Sequence, residues 1–164
     1  MLEELTYQES AIRIGVAVIA GSIIGFERRA KPAGFRTHGL VSLGSALFML
    51  ASLLLGEQAY EAGNTTYDPS RLASTVVQGV GFIAAGVIFT SGMRIKGLTT
   101  AASIWVAAAV GLLVGGGFWE VGLMGVLAAV IVLELFAWVE ARIPGAGKED
   151  DEARTNGANA RDSG

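Results

Sequence analysis

Five long apolar runs separated by short polar ones organise the chain. They cover about 9–26, 39–56, 71–90, 98–116 and 118–139. A helix needs roughly 17–25 mainly apolar residues to cross a bilayer, and each run meets that length. Charges inside them are few: Arg13 in the first and Glu134 in the last. The pattern predicts an all-α, polytopic membrane helix bundle with five transmembrane helices. The residues before the first run, MLEELTYQES, are acidic, so that run is expected to be a span rather than a signal peptide. Local signals agree with these limits. Asp68 and Pro69 suit the N-cap and first position of a third helix. Trp119 and Trp138 flank the fifth run, where amphipathic rings favour an interface. The polar stretch GNTT at 63–66 reads as a turn within the longest outer loop. Residues 1–143 are thus expected to form the transmembrane domain, and 144–164 a disordered tail with too little apolar surface to fold.

Composition sharpens the picture in two places. Of 164 residues, 52% are hydrophobic and 16% charged, too oily for a soluble domain of this size. Glycine is abundant, with 23 copies. In lipid, small residues at four-residue spacing let backbones approach closely. Ala17, Gly21 and Gly25 form such a stripe, as do Ala107, Gly111 and Gly115. The third run carries Gly79, Gly81 and Gly86, and the fifth Gly122, Gly125 and Ala129. Intramolecular packing is the simplest use for them, and a stripe left on the outside would serve a homodimer.

Charge gives the orientation. The net charge is −3, but cations collect in alternate loops. Arg28, Arg29, Lys31 and Arg36 lie between runs one and two, and Arg94 and Lys96 between three and four. Arg142, Lys148, Arg154 and Arg161 follow run five. The other side carries mostly Glu3, Glu4, Glu57, Glu61, Asp68 and Glu120, with Arg71 at the start of run three. The positive-inside rule then predicts an N-terminus outside and a C-terminus in the cytoplasm.

Three segments, GSIIGFERRAKPAGFRTHGLVSLGSALFML, DPSRLASTVVQGVGFIAAGVIF and KGLTTAASIWVAAAVGLLVGGG, resemble the membrane domain of the MgtC/SapB family. The likeness runs from about residue 12 to 135, in order. It implies a protein of the bacterial or archaeal cytoplasmic (inner) membrane, linked to growth in low magnesium, survival in host macrophages and membrane energetics. It also implies action by binding other membrane proteins, among them the proton-translocating ATP synthase, rather than by carrying magnesium. The virulence-type members have a soluble C-terminal domain after the membrane part; the short polar tail here resembles the shorter, SapB-like form.

The most charged stretch of the first half, GFERRAKPAGFRTHG at 25–39, has two readings. Cations at a cytoplasmic surface anchor topology, each gaining about 1 kcal/mol near anionic lipid. That leaves Ala33-Gly34-Phe35-Arg36-Thr37 unexplained, and this segment matches the family motif. With Pro32 and Gly34 bending the chain, Arg28, Arg36, Thr37 and His38 could join Thr99 and Thr100 from the KGLTT turn. Together they would form a basic pocket for a phosphate, a lipid headgroup or a carboxylate. As a lone histidine at a membrane surface, His38 is expected to be solvated or to touch headgroups.

Other ionisable groups need partners, because charge inside lipid costs about 2.5–3.5 kcal/mol on insertion scales. Arg13 has Glu9 one turn before it and Glu120 at a similar level. Asp68 and Arg71 are three apart and match the family's D-x-x-R pattern. Glu134 is expected level with Arg28 and Arg29. A polar path through Asp68, Arg71, Gln78, Glu134 and Glu27 is the alternative, a magnesium or proton transporter. It has few acids at mid-membrane for a cation that needs oxygen ligands. With no cysteine and one histidine, thiolate and multi-His metal sites are excluded, and no metal ligand set is assigned. The segment GFIAAG at 81–86 lacks the lysine of a phosphate-binding loop. No enzymatic activity, cofactor or nucleic-acid partner is expected; membrane lipids and other membrane proteins are.

Overall fold

The structure, a computed structural model, describes residues 6–28, 31, 33–64, 66–91, 94–140 and 142. The tail 144–164, Arg29 and Pro32 lie outside the described residues. Five helices appear where five were expected: α1 (Tyr7–Glu27), α2 (Phe35–Glu61), α3 (Ser70–Ala85), α4 (Leu98–Gly115) and α5 (Trp119–Glu140). Two short strands, β1 (Phe89–Ser91) and β2 (Arg94–Lys96), separate α3 from α4. Helices α1, α2, α4 and α5 are long and apolar enough to cross a membrane. At 16 residues, α3 is shorter.

Size, rather than polarity, sorts inside from outside. Ala17, Ala20, Gly21, Gly25, Ala46, Ala107, Gly111 and Gly115 are buried, joined by Ile24, Ile104, Val110 and Val114. Ile12, Ile19, Leu40, Leu47, Phe48, Met124 and Leu127 are exposed. A water-soluble bundle would do the reverse. In lipid the tails are as apolar as leucine, so helices gain most by letting backbones touch. They do so here. A methyl added to Gly21 would collide with the side chain of Ser42, and one on Gly111 with the backbone of the same serine. At Gly115 it would lie 2.7 Å from the carbonyl of Ala46. The two expected stripes, on α1 and α4, therefore both close on α2. Ser42 ties the seam by donating to the Ala17 carbonyl at 2.7 Å. At the start of α5, Gly122 leaves room for the side chain of Val114.

α3 packs on this group through Val76, Val80 and Ala84, four residues apart, which join Ala101, Ile104 and Ala108 of α4. Its start follows expectation with a shift of one residue: Asp68 Oδ1 accepts the Ser70 N–H at 2.9 Å, and Pro69 occupies the N-cap position. Its end does not. The third run was expected to remain helical to 90, yet the helix stops at Ala85 and the chain pairs as an antiparallel hairpin, Phe89 with Lys96 and Ser91 with Arg94. After Gly86 the sequence is Val87-Ile88-Phe89-Thr90, β-branched and aromatic residues that favour strands. Gly97, at φ +91°, turns the hairpin into α4, where a side chain would strike the Val87 carbonyl.

A second difference concerns α2. The apolar run begins at 39, but the helix begins at Phe35 and continues to Glu61. The segment Arg36-Thr37-His38 is thus the first turn of a helix rather than a loop. Hydropathy reports immersion, whereas helix limits follow backbone hydrogen bonding, and the two need not coincide.

Contacts divide the chain into two units, Met1–Val130 and Ile131–Gly164. In the second, Arg142 stacks over the Trp138 ring at 3.9 Å, a cation–π contact, and Glu134 is exposed.

Candidate functional site

The site is built where α1 ends and α2 and α4 begin. Gly25 makes the approach possible, since a side chain there would sit 2.8 Å from both the Gly34 carbonyl and Phe35 Cα. Gly39, one turn into α2, leaves space for the hydroxyl of Ser22. Arg28, the residue that caps α1, can then reach α4, and its Nη2 donates to Thr100 Oγ1 at 2.8 Å. His38 is fully buried, which corrects the expectation of a solvated ring. Its Nδ1 lies 2.9 Å from the Gly34 carbonyl and its Nε2 2.9 Å from Ser103 Oγ. Ser103 Oγ also lies 2.8 Å from the Thr100 carbonyl.

Hydrogen-bond chemistry fixes the polarity of this chain of groups. A carbonyl only accepts, so Nδ1 carries a proton. Counting that one, three bonds draw on protons from one ring and one hydroxyl. A neutral ring and Ser103 supply two, and the cationic ring supplies the third. Among the described residues, Arg28 Nε is buried without a hydrogen-bond partner. Partial burial also draws the Arg28 pKa below its ordinary value, with Glu27 beside it acting the other way. The guanidinium remains charged at any physiological pH. Neither α2 nor α4 has a side-chain cap at its N-terminus. This end of the bundle therefore combines a fixed cation, a spare buried donor and two positive helix ends, an arrangement suited to an acceptor or anion.

Three of the six expected cytoplasmic-face residues meet here: Arg28, His38 and Thr100. Arg36 and Thr99 are exposed. Thr37 instead lines an open apolar groove of about 510 Å³ between α2 and α3, with Leu40, Gly44, Phe48, Gly79 and Ile83. Ser103 was not anticipated. Its signal was present, because Thr100 and Ser103 are three apart and share a helix face.

The remaining polar candidates are scattered. Arg13 is buried near the opposite end of α1. It pairs with Glu9 and donates from Nη1 to the Gly115 carbonyl at 2.9 Å, so Glu9 rather than Glu120 is its acidic partner. Glu27 is half-buried at the end of α1. Asp68 and Arg71 are exposed and border a polar cavity of about 350 Å³ with Asn64, Thr66 and Tyr67. Hydrogen bonds from Ser70 hold the Asp68 carboxyl below its ordinary pKa. Gln78 is exposed on α3, and Glu134 lies in the second unit. Among the described residues, no three His, Asp or Glu side chains are grouped to hold a metal ion.

Similar proteins give the site a context. The chain is 46% identical over 137 residues to YhiD of Escherichia coli (strain K12), whose name makes it a candidate magnesium transporter. That match takes in 82% of this chain and 64% of the relative. SrpB of Synechococcus elongatus is 34% identical over 170 residues, covering 87% of this chain and 92% of the relative. MgtC of Brucella abortus is 44% identical over 103 residues, 62% of this chain but 40% of that protein. The chain thus spans less than two thirds of the length of YhiD and of the Brucella protein. No solved structure matches it significantly. Residues 14–142 fit the MgtC family model; with its four apolar helices, the chain belongs to the MgtC family and is a multi-pass membrane protein.

Proposed function

We propose that this chain is a regulatory inner-membrane protein of magnesium homeostasis that acts by binding another membrane protein or a lipid headgroup at its Arg28 end. On this reading α3 and its hairpin complete a fifth crossing. The N-terminus lies outside, and the Arg28 end and the tail 144–164 face the cytoplasm. One observation carries the reading. α1, α2 and α4 meet backbone to backbone through Gly21, Gly111 and Gly115, and Ile24, Ala46, Ile104 and Ala107 fill the space between them. A path for a hydrated cation needs room and oxygen ligands, and this seam offers little of either. The polar groups collect at one end instead, with a guanidinium donor to spare.

Transport of magnesium or protons is the second reading, and the printed name of the Escherichia coli relative favours it. Flux separates the two. Purified protein in liposomes is expected to pass neither magnesium nor protons above the rate of empty liposomes. Flux that Glu134→Gln or Asp68→Asn removes would sink the regulatory reading. In cells, Arg28→Met is expected to abolish growth in low magnesium while the protein stays in the membrane at normal level.

A further inference from the structure

The stripes of α1 and α4 are used up against α2, but the glycines of α3 are not. A side chain added at Gly79 or Gly81 would meet nothing within 4 Å. The side of α3 that bears Gly81 also carries Gln78, which is exposed and makes no hydrogen bond among the described residues. Ser74 and Thr75 beside it are already satisfied by the carbonyls of Arg71 and Leu72. Gln78 stands at the middle of α3, whose opposite stripe packs on Ala101, Ile104 and Ala108 of a candidate span. On the reading that α3 crosses the bilayer, proposed above, an amide at that depth has no water to bond and needs a partner. Phe82, one turn further on, is 85% exposed. At the start of the helix the exposed Asp68 carboxylate accepts from the Ser70 N–H at Oδ1 and makes no ion pair among the described residues. Arg71 makes no ion pair among the described residues.

We propose that this face of α3, formed by Asp68, Arg71, Gln78, Gly81 and Phe82, is the contact between two copies of the chain. Self-complementarity selects that occupant. Copies of one chain insert in the same direction, so a two-fold axis along the membrane normal sets each residue at the level of its own counterpart, with the residues three positions away at neighbouring levels across the axis. A glutamine amide both donates and accepts, and can therefore pair with itself. Asp68 and Arg71 carry opposite charges three residues apart, so each Asp68 meets the other copy's Arg71. A face of one sign would repel its copy. Gly81 gives the backbones room, and Phe82 covers the contact. An acyl chain could cover the apolar part, but it gives the amide no partner. The contact rests on the α3 crossing proposed above but not on the choice between regulator and transporter, because either could pair in the same way.

The test uses the absence of cysteine from the chain. Gln78→Cys and Gly81→Cys are expressed separately in the full chain, and membranes are oxidised and run on non-reducing gels. Disulfide-linked dimers are expected from both. They are not expected from Ile19→Cys or Leu47→Cys, which face outward on α1 and α2. In the Gln78→Cys background, Asp68→Arg is expected to lower dimer yield at least fivefold, and adding Arg71→Asp to restore it. Membrane levels are measured for every variant. Equal cross-linking at Ile19 would overturn the proposal. So would a Gln78→Cys adduct to a different protein in place of a dimer, or a double charge reversal as poor as the single one.

Discussion

Arg13 and Arg28 stand near opposite ends of α1 and look alike in the sequence, each a cation beside an apolar run. Their surroundings separate them. The Arg13 guanidinium is paired with Glu9 and bonded to the Gly115 carbonyl, and Gly117, at φ +87°, leaves it the space to lie flat. Its charge is neutralised and each of its three nitrogens makes a hydrogen bond, so it closes a seam between α1 and the end of α4. Among the described residues Arg28 makes one hydrogen bond, to Thr100, and keeps a buried Nε with no acceptor. Only the second arginine has capacity for something outside the chain. A cation near a span end becomes informative once its partners are counted.

Three substitutions would break or sharpen this contrast. The largest effect is expected from His38→Ala, which empties a fully enclosed site and removes the ring's hydrogen bonds to the Gly34 carbonyl and the Ser103 hydroxyl. A buried large-to-small change with lost hydrogen bonds costs about 3–4 kcal/mol. Thermal unfolding in detergent micelles should show it; a near-neutral result would mean that the ring does not hold α2 to α4. Next comes Arg13→Met, which fills similar volume but leaves Glu9 and the Gly115 carbonyl without their partner. A fully buried broken pair costs about 3–5 kcal/mol. With the Glu9 side chain 34% exposed, water recovers part of that, and about 2 kcal/mol is expected. Glu9→Gln together with Arg13→Met should regain some of it. Smallest is Arg28→Met, at about 1 kcal/mol for one partly exposed hydrogen bond. If Arg28→Met destabilised as much as Arg13→Met in the same assay, the two ends would be alike and the contrast would fall.

Helix number, order and approximate limits could be read from the apolar runs, because immersion in lipid imposes a length that few other constraints mimic. The hairpin could not. Val87 to Thr90 continue the apolar run without a break, and a short apolar stretch bounded by glycine fits helix or strand equally. Three of the four side chains in the polar cluster were legible as well. Arg28, His38 and Thr100 lie in motif segments, but the burial of His38 was not legible, because the cations around it mark a membrane surface where a ring is expected to meet water or headgroups. His38, Ser42 and Ala46 repeat every four residues and mark the inner face of α2. In water that stripe would read as the outside. In lipid, small and polar residues turn inward and the large apolar ones face out. Ser103 belongs to the same pattern on α4, with Thr100 and Ala107 buried on either side.

The shortness of α3 has a mechanical consequence. Its 16 residues reach about 24 Å at 1.5 Å per residue, less than a hydrocarbon core of about 30 Å. If α3 spans, the lipid against it must thin or the helix must be capped by its hairpin, and thinning costs a fraction of a kcal/mol for each ångström. Two copies meeting through α3 would share one dimple in the bilayer instead of making two. The elastic energy of the sheet then adds to the attraction between the faces. Lipids with longer acyl chains would press the copies together, and shorter ones would let them part.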